Sequence, residues 1–249
     1  MRGVTVLSEL SEAPEGDPPP SRPENQSIGD WLFDALRESI VDGTLPAEYV
    51  LVEGTLAQRF GVSRGPAREA LQRLQLLGLV RAMPRVGYIV TSVSLRDYDE
   101  VFTMRLGLEP ISTELATKRI AAGIVDSTRL QDLANSHDSA INECEGVNEV
   151  SLARLNHAFH LEIARLSGNR RMERVTDNLL DDMQRVLIAL AYSPDTLRSM
   201  WDDHPRLVRV MLAGEPASAR EMMYQQLERA HLLMRELAVG SDLTISIDR

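Results

Sequence analysis

The run Leu56-Ala57-Gln58-Arg59-Phe60-Gly61-Val62-Ser63-Arg64-Gly65-Pro66-Ala67-Arg68-Glu69-Ala70-Leu71 constrains the fold more than any other part of the chain. Glu53 to Phe60 reads as a short helix, Gly61-Val62 as a turn, and Ser63 as a capping residue for a second helix that runs to about Leu77. Pro66 falls in the first turn of that helix, where a backbone N–H has no intrahelical acceptor and its absence costs little. Ala67, Ala70, Leu71, Leu74 and Leu77 recur at three- and four-residue spacings and form one apolar stripe, and Gly78 stops the helix. Two helices so close in sequence, joined by a glycine turn, read as a helix-turn-helix.

The flanking segments complete a small domain. Ile28 to Val41 carries Trp31, Leu32, Ala35, Leu36 and Ile40 at helical spacing, and Asp42-Gly43 ends it. Leu79-Val80-Arg81-Ala82 and Tyr88-Ile89-Val90-Thr91 have strand propensity and enclose Pro84 to Gly87, which gives a hairpin after the second helix. The expected architecture is mainly α, a winged helix-turn-helix over 26–93 followed by an all-α antiparallel bundle over 94–240. The bundle comes from six amphipathic stretches, Leu95–Arg119, Ser127–Glu143, Glu149–Ser167, Asn169–Ala191, Asp195–Ala213 and Pro216–Val239, separated by short glycine or proline links. Residues 1–25, with five prolines among Ser, Glu and Asp, read as a flexible tail, and 241–249 as a second one.

Charge is unevenly distributed. The chain carries −10 overall, yet residues 59–85 hold six arginines against one acid, a net of +5, so the remainder carries −15. A local basic patch on an acidic protein binds phosphate in one place and repels it elsewhere. The single cysteine, Cys144, excludes an intrachain disulfide framework and a Cys-rich zinc ribbon. No apolar run is long enough to span a bilayer, and Met1-Arg2-Gly3 leads into acidic, proline-rich sequence, so a cytoplasmic protein without membrane attachment is expected.

Within the patch, Arg64 and Arg68 lie one turn apart at the beginning of the second helix, on a face separate from the apolar stripe. A helix enters the major groove by such an exposed start, with side chains that meet phosphates and base edges. Arg64 is the better base-reading candidate, and Arg68 either reads a base or fixes the helix on phosphate. Ser63 stands at the helix start, where backbone N–H groups favour phosphate. Arg59 precedes the turn as a phosphate contact, Arg81 and Arg85 flank the hairpin, and Gly87 permits a close turn or backbone approach there.

These residues, with Leu74 and Gly78-Leu79-Val80, resemble the DNA-binding signature of the GntR superfamily. The resemblance implies that Arg64 and Arg68 contact operator DNA. Two departures stand out: Ala47-Glu48 replaces the usual Pro-Gly turn, and Gly54 replaces an arginine that contacts DNA in some FadR-like members. The helical remainder resembles the FCD ligand-binding domain of the FadR-like subfamily, through Arg105 and Glu109, Asn156, Phe159 and His160, Ser167-Gly168-Asn169, and Asp203-His204.

That second resemblance implies a divalent metal, zinc or nickel, held in many such domains by one Asp and three His beside a small carboxylate effector. Here Asn156, His160 and His204 fall on three of the ligand positions and Gln226 on the fourth, so Asn replaces the aspartate and Gln one histidine. Neutral amides are weaker partners for such an ion. Two readings stay open, an ion completed by waters or by an anionic effector, and a metal-free polar pocket. Arg105 is the candidate for neutralising the effector's acid, against a plainer role as the ion-pair partner of Glu109. His231 turns away from the face of Gln226, His157 is adjacent to Asn156 and faces elsewhere, and His137 has no spaced ligand partner; all three read as structural.

The resulting expectation is a DNA-binding transcription regulator, a repressor, acting as a homodimer on two half-sites of double-stranded operator DNA and released by an organic acid. The effector site is expected at Arg105, Asn156, His160, His204 and Gln226. Two rivals remain: a metal-dependent hydrolase using His160 and His204 with Asp202 or Asp203, and a noncatalytic helical interaction protein.

Overall fold

The structure is a computed structural model and describes residues 20–142, 149–189 and 203–240. Cys144, Asp202, most of the expected N-terminal tail and all of the C-terminal one lie outside the described residues. The chain forms two compact units that divide between Ser92 and Val93.

The first unit is built on three helices, α1 (Ile28–Val41), α2 (Glu53–Arg59) and α3 (Arg64–Leu76), with three short strands, β1 (Val50–Leu51), β2 (Val80–Met83) and β3 (Gly87–Val90). Ser27 caps α1 by accepting from the Asp30 N–H. The α3 stripe is as the spacing requires: Ala67, Ala70, Leu71 and Leu74 are fully buried, and each such leucine contributes roughly 2 kcal/mol of apolar burial. They pack with Leu32, Leu36 and Ile40 of α1 and with Leu56 and Ala57 of α2. Arg73, one of the six arginines of the basic patch, serves this packing, since its Nη1 donates to Asp30 at 2.7 Å and its guanidinium sits 4.0 Å over the Phe33 ring.

The sheet order is β1-β3-β2, all antiparallel, with Val50 opposite Ile89 and Val80 opposite Val90. The hairpin lies where the sequence placed it; the third strand, β1, is two residues long and carries no periodicity to detect. It is held by Glu48 N–H to Val90 O and Val90 N–H to Tyr49 O, each 2.9 Å. Glu48 has φ 67, so the left-handed turn usually supplied by Pro-Gly is kept here by a non-glycine residue.

The second unit is entirely helical: α4 (Leu95–Ala121), α5 (Thr128–Asn142), α6 (Glu149–Leu166), α7 (Arg170–Ala189), α8 (His204–Leu212) and α9 (Pro216–Gly240). Ser94 and Asp97 form a capping box at the start of α4. α4 is the central helix; it packs chiefly on α9 and also on α6, α7 and α8. Tyr98, Phe102, Phe159, Leu207 and Met223 are among the residues of the shared core. Asn169 Oδ1 accepts from the Arg171 and Met172 N–H groups, 3.1 and 3.3 Å, and so starts α7. The described part of the expected stretch Asp195–Ala213 forms α8, which opens at His204 with Asp203 at the N-cap position and Pro205 in its first turn. Residues 195–202 of that expectation lie outside the described residues.

Candidate nucleic-acid interface and effector pocket

Arg64 and Arg68 are both exposed, outside the buried stripe of α3. Ser63 occupies the N-cap position of α3 with extended backbone, but its hydroxyl makes no capping bond. The physical reason is Pro66, which stands at the third helical position and lacks the N–H a serine cap would meet. The backbone donors of Arg64 and Gly65 therefore remain at the exposed helix start, together with the Ser63 hydroxyl.

The Arg64 guanidinium lies over Gly54, where a Cβ would stand 3.6 Å from Nη2. Arg68 meets Glu53, the first residue of α2, through two edges of one fork: Nε to Oε1 at 3.0 Å and Nη2 to Oε2 at 3.0 Å. That hydrogen bond, helped by the charges of Arg68 and Arg64, outweighs burial and holds the Glu53 carboxyl below its ordinary range. Arg59, at the end of α2, is half-buried, while Arg81 and Arg85 are exposed. Arg81 sits 3.6 Å from Glu48, an exposed pair worth little.

The tip of the hairpin is a turn closed by Val86 N–H to Met83 O at 3.1 Å, with Pro84 second and Arg85 third at φ 68. Proline at the second place and positive φ at the third are the pattern of a type II turn, and they throw Arg85 out at the tip. At Gly87 the second of the two expectations, a close backbone approach, is met within the sheet. At φ 141, a Cβ there would come 2.4 Å from Leu51 O, so glycine is required by the approach of β1.

In the helical unit, spacing brings the expected polar residues together. Arg105 and Glu109 are buried one turn apart on α4 and form an ion pair of 2.5 Å; Asn156 and His160 are buried one turn apart on α6. Glu109 Oε2 lies 2.6 Å from His160 Nδ1. Burial pushes the Glu109 carboxyl up, but Arg105 and His160 together overcome it and hold it at about 2. Burial dominates at His160 and lowers its pKa against the pull of Glu109, so a neutral imidazole lies beside a charged carboxylate. Its Nε2 faces His204 Nε2 at 3.3 Å.

Arg105, Asn156, His160 and Gln226 line one cavity, whose other walls are apolar, chiefly Phe102, Met183, Leu187 and Met234. His204 is fully buried and stands behind His160 instead of on the wall. The Asn156 and Gln226 side-chain oxygens have no hydrogen-bond partner among the described residues. The cavity measures about 20 Å³, room for roughly one water. Two histidine nitrogens 3.3 Å apart match the edge of a tetrahedral site with bonds of about 2.0–2.1 Å, and a carboxylate behind the ligating ring is the usual orienting partner. Two ring nitrogens and two unpartnered amide oxygens are the donors these residues would offer a divalent ion.

Sequence reasoning missed two features here. His137 of α5 is buried with its ring centroid 4.3 Å from that of His204 and packs edge-on to Phe159. Burial chiefly, and then nearby His160, push it down to about 4, against a backbone hydrogen bond at Leu155. Second, His157 turns toward α7, as expected of a ring facing away from Asn156, and meets Asp177 at 3.0 Å and Asp181 at 3.9 Å. These three form a largely buried cluster capable of holding a metal ion. The i,i+4 spacing of the two aspartates was the available signal. His231 is structural: it stacks on Phe102 at 4.8 Å and bonds Asp99 at 2.8 Å. Asp203, offered for hydrolysis, is paired with Arg229.

A model of bacterial regulatory proteins of the gntR family matches residues 30–90, and one of the FCD domain matches 100–229, more than half of the chain. The chain is 32% identical over 150 residues to the uncharacterised transcriptional regulator YdhC of Bacillus subtilis, a match covering 60% of this chain and 65% of that one. It is 29% identical over 213 residues to the transcriptional repressor GlaR of Escherichia coli, covering 83% and 95%. The solved structure of McbR/YncC from E. coli superposes with a TM-score of 0.72 at 23% identity, over 85% of this chain and 99% of that one, a likeness of fold.

Proposed function

This chain belongs to the gntR family of bacterial regulatory proteins with an FCD domain, and we propose that it is a cytoplasmic homodimeric repressor released from its operator by a small organic acid. The family is a class of DNA-binding transcription regulators with an effector-binding helical domain, not of enzymes. Repression is supported by the name of GlaR, a repressor aligned over most of both chains. Among the described residues no helix is long and apolar enough to cross a membrane.

The observation that carries the DNA-binding role is the pair Arg64 and Arg68, exposed one turn apart at the start of α3 and outside its buried stripe. Two chains would place two such helices in successive major grooves. Arg59, Ser63, Arg81 and Arg85 supply phosphate contacts around them, and Gly87 keeps the hairpin in place. Arg64→Ala is expected to weaken binding of the best duplex about tenfold or more and to reduce discrimination among its variants, measured by fluorescence anisotropy. Unchanged affinity and unchanged discrimination would remove Arg64 from the interface.

The effector pocket is the cavity of Arg105, Asn156, His160 and Gln226, with His204 behind it. Arg105 attracts an acid, the two amide oxygens accept from hydroxyl or amino groups, and the apolar walls take a carbon chain. His160 and His204 would hold a zinc or nickel ion with Asn156 and Gln226, and the ion would supply a Lewis-acid anchor for the effector's carboxylate. Since the pocket is closed to about one water, an organic acid must spread its walls, and that displacement is the start of the signal. Elemental analysis of purified protein tests the ion: His204→Ala should lose a stoichiometric metal that His157→Ala keeps. Metal lost only with His157→Ala would move the ion to the cluster with Asp177 and Asp181.

A further inference from the structure

The role of Arg68 depends on Glu53, a residue with no part so far in the reading of the operator. A guanidinium has five N–H groups in one plane. Glu53 takes the Nε and Nη2 edge, with contacts of 3.0, 3.2 and 3.0 Å. The edge formed by Nη1 and the second Nη2 hydrogen is left to other partners. The side chains differ in exposure, 61% for Arg68 against 25% for Glu53, so the carboxylate sits beneath and the arginine fork above it. Both ends of the contact are anchored in short, well-packed helices: Glu53 opens α2, whose Leu56 and Ala57 are buried, and Arg68 follows Ala67, which is fully buried on α3.

An arginine that contacts phosphate gains chiefly by its charge, which acts from many orientations. An arginine that reads a base works by the direction of its fork and needs its plane fixed. A carboxylate bound along one edge takes away charge and supplies direction, so it suits the second task and weakens the first. Arg64 has its guanidinium beside Gly54, on the same side of the helix pair, at ordinary contact distance from where a Cβ would stand.

We propose that Glu53 is a positioning residue that holds Arg68 edge-on, so that the free edge of Arg68 reads a guanine through its N7 and O6. The assignment rests on the DNA-binding reading above. Glu53 also places a negative charge beside the phosphates, which lowers affinity for unrelated DNA, so one carboxylate sharpens selectivity from both sides.

Selection from a randomised duplex library with the full-length wild-type chain gives the preferred site, and anisotropy on that duplex and its single-position variants gives discrimination position by position. Glu53→Gln is expected to lose about tenfold discrimination at one G·C pair in each half-site, with tighter binding of an unrelated duplex. Its affinity should fall more steeply with salt, by about one further phosphate contact. Arg68→Lys keeps the charge and removes the fork; it should lose preference at the same base pair, and the double variant should lose no more than either single one. Thermal melting checks that each variant is folded, and Arg68→Lys carries the test should Glu53→Gln fail to fold. Discrimination unchanged in a folded Glu53→Gln, or lost evenly at every position, overturns the positioning role while leaving DNA binding intact. A wild-type chain that enriches no motif overturns the DNA-binding reading, and this assignment with it.

Discussion

His137 is buried and carries no charge near neutral pH, because its pKa is pushed down to about 4 while in the unfolded chain it is near 6.5. Between those values the unfolded chain binds a proton that the folded one refuses, so stability from this residue is complete above pH 6.5 and declines as pH falls toward 4. The full effect is about 3 kcal/mol. Urea midpoints of the wild type should therefore drop between pH 6.5 and 4.5, where Glu109 is still ionised, and His137→Phe should flatten that slope. An identical slope in both proteins would show that the ring is not what titrates. At this scale the polar site was only partly legible. Arg105 with Glu109 and Asn156 with His160 are visible because one helical turn separates them, and the identity of the side chains names their chemistry. His137 was read as structural with no spaced partner, since its neighbour His204 is on another helix and no periodicity connects them. The link between Glu109 and His160 is hidden for the same reason.

Among the elements, the hairpin illustrates how a short strand escapes periodicity and yet dictates a residue. β1 contributes only Val50 and Leu51, but Leu51 O comes so close to Gly87 that a methyl group there would overlap it. Combined with φ 141, this makes Gly87→Ala costly on two counts, and a loss of roughly 2 kcal/mol or more in the first unit is expected. The check is the melting temperature of the first unit followed by a probe at Trp31, which packs edge-on to Phe60 at 5.4 Å in that core; an unaltered transition would mean that β1 yields without cost. Helices α1, α3, α4 and α9 were legible nearly to their ends, because apolar spacing and glycine or proline stops agree there. The helix that starts at His204 carries Pro205 in its first turn, the one start signal its sequence offers. Ser63 shows the limit of a rule applied to one residue: the cap position was right, and the proline three places on removed its partner.

Across the whole molecule, tasks are divided between the two units. The net-positive run 59–85 lies in a unit of three helices and a small sheet, and in the second unit Arg105 and His160 line a cavity that holds about one water. A ligand that opens such a cavity changes helix packing, and in a homodimer that changes the distance between two recognition helices. Linkage requires the effect to run both ways, since an acid that weakens DNA binding must itself be bound less tightly when DNA is present. The direct test begins with a panel of hydroxy and amino acids, from which those that raise the melting temperature of the full-length wild type are carried forward. Anisotropy is then measured on the selected duplex with and without the saturating acid, and the acid's own affinity with and without the duplex. A weakening of DNA binding by about tenfold, matched by an equal weakening of acid binding on DNA, is the expected result. An acid that occupies the pocket and is displaced by Arg105→Ala, yet leaves the duplex affinity unchanged, would contradict effector control of the operator.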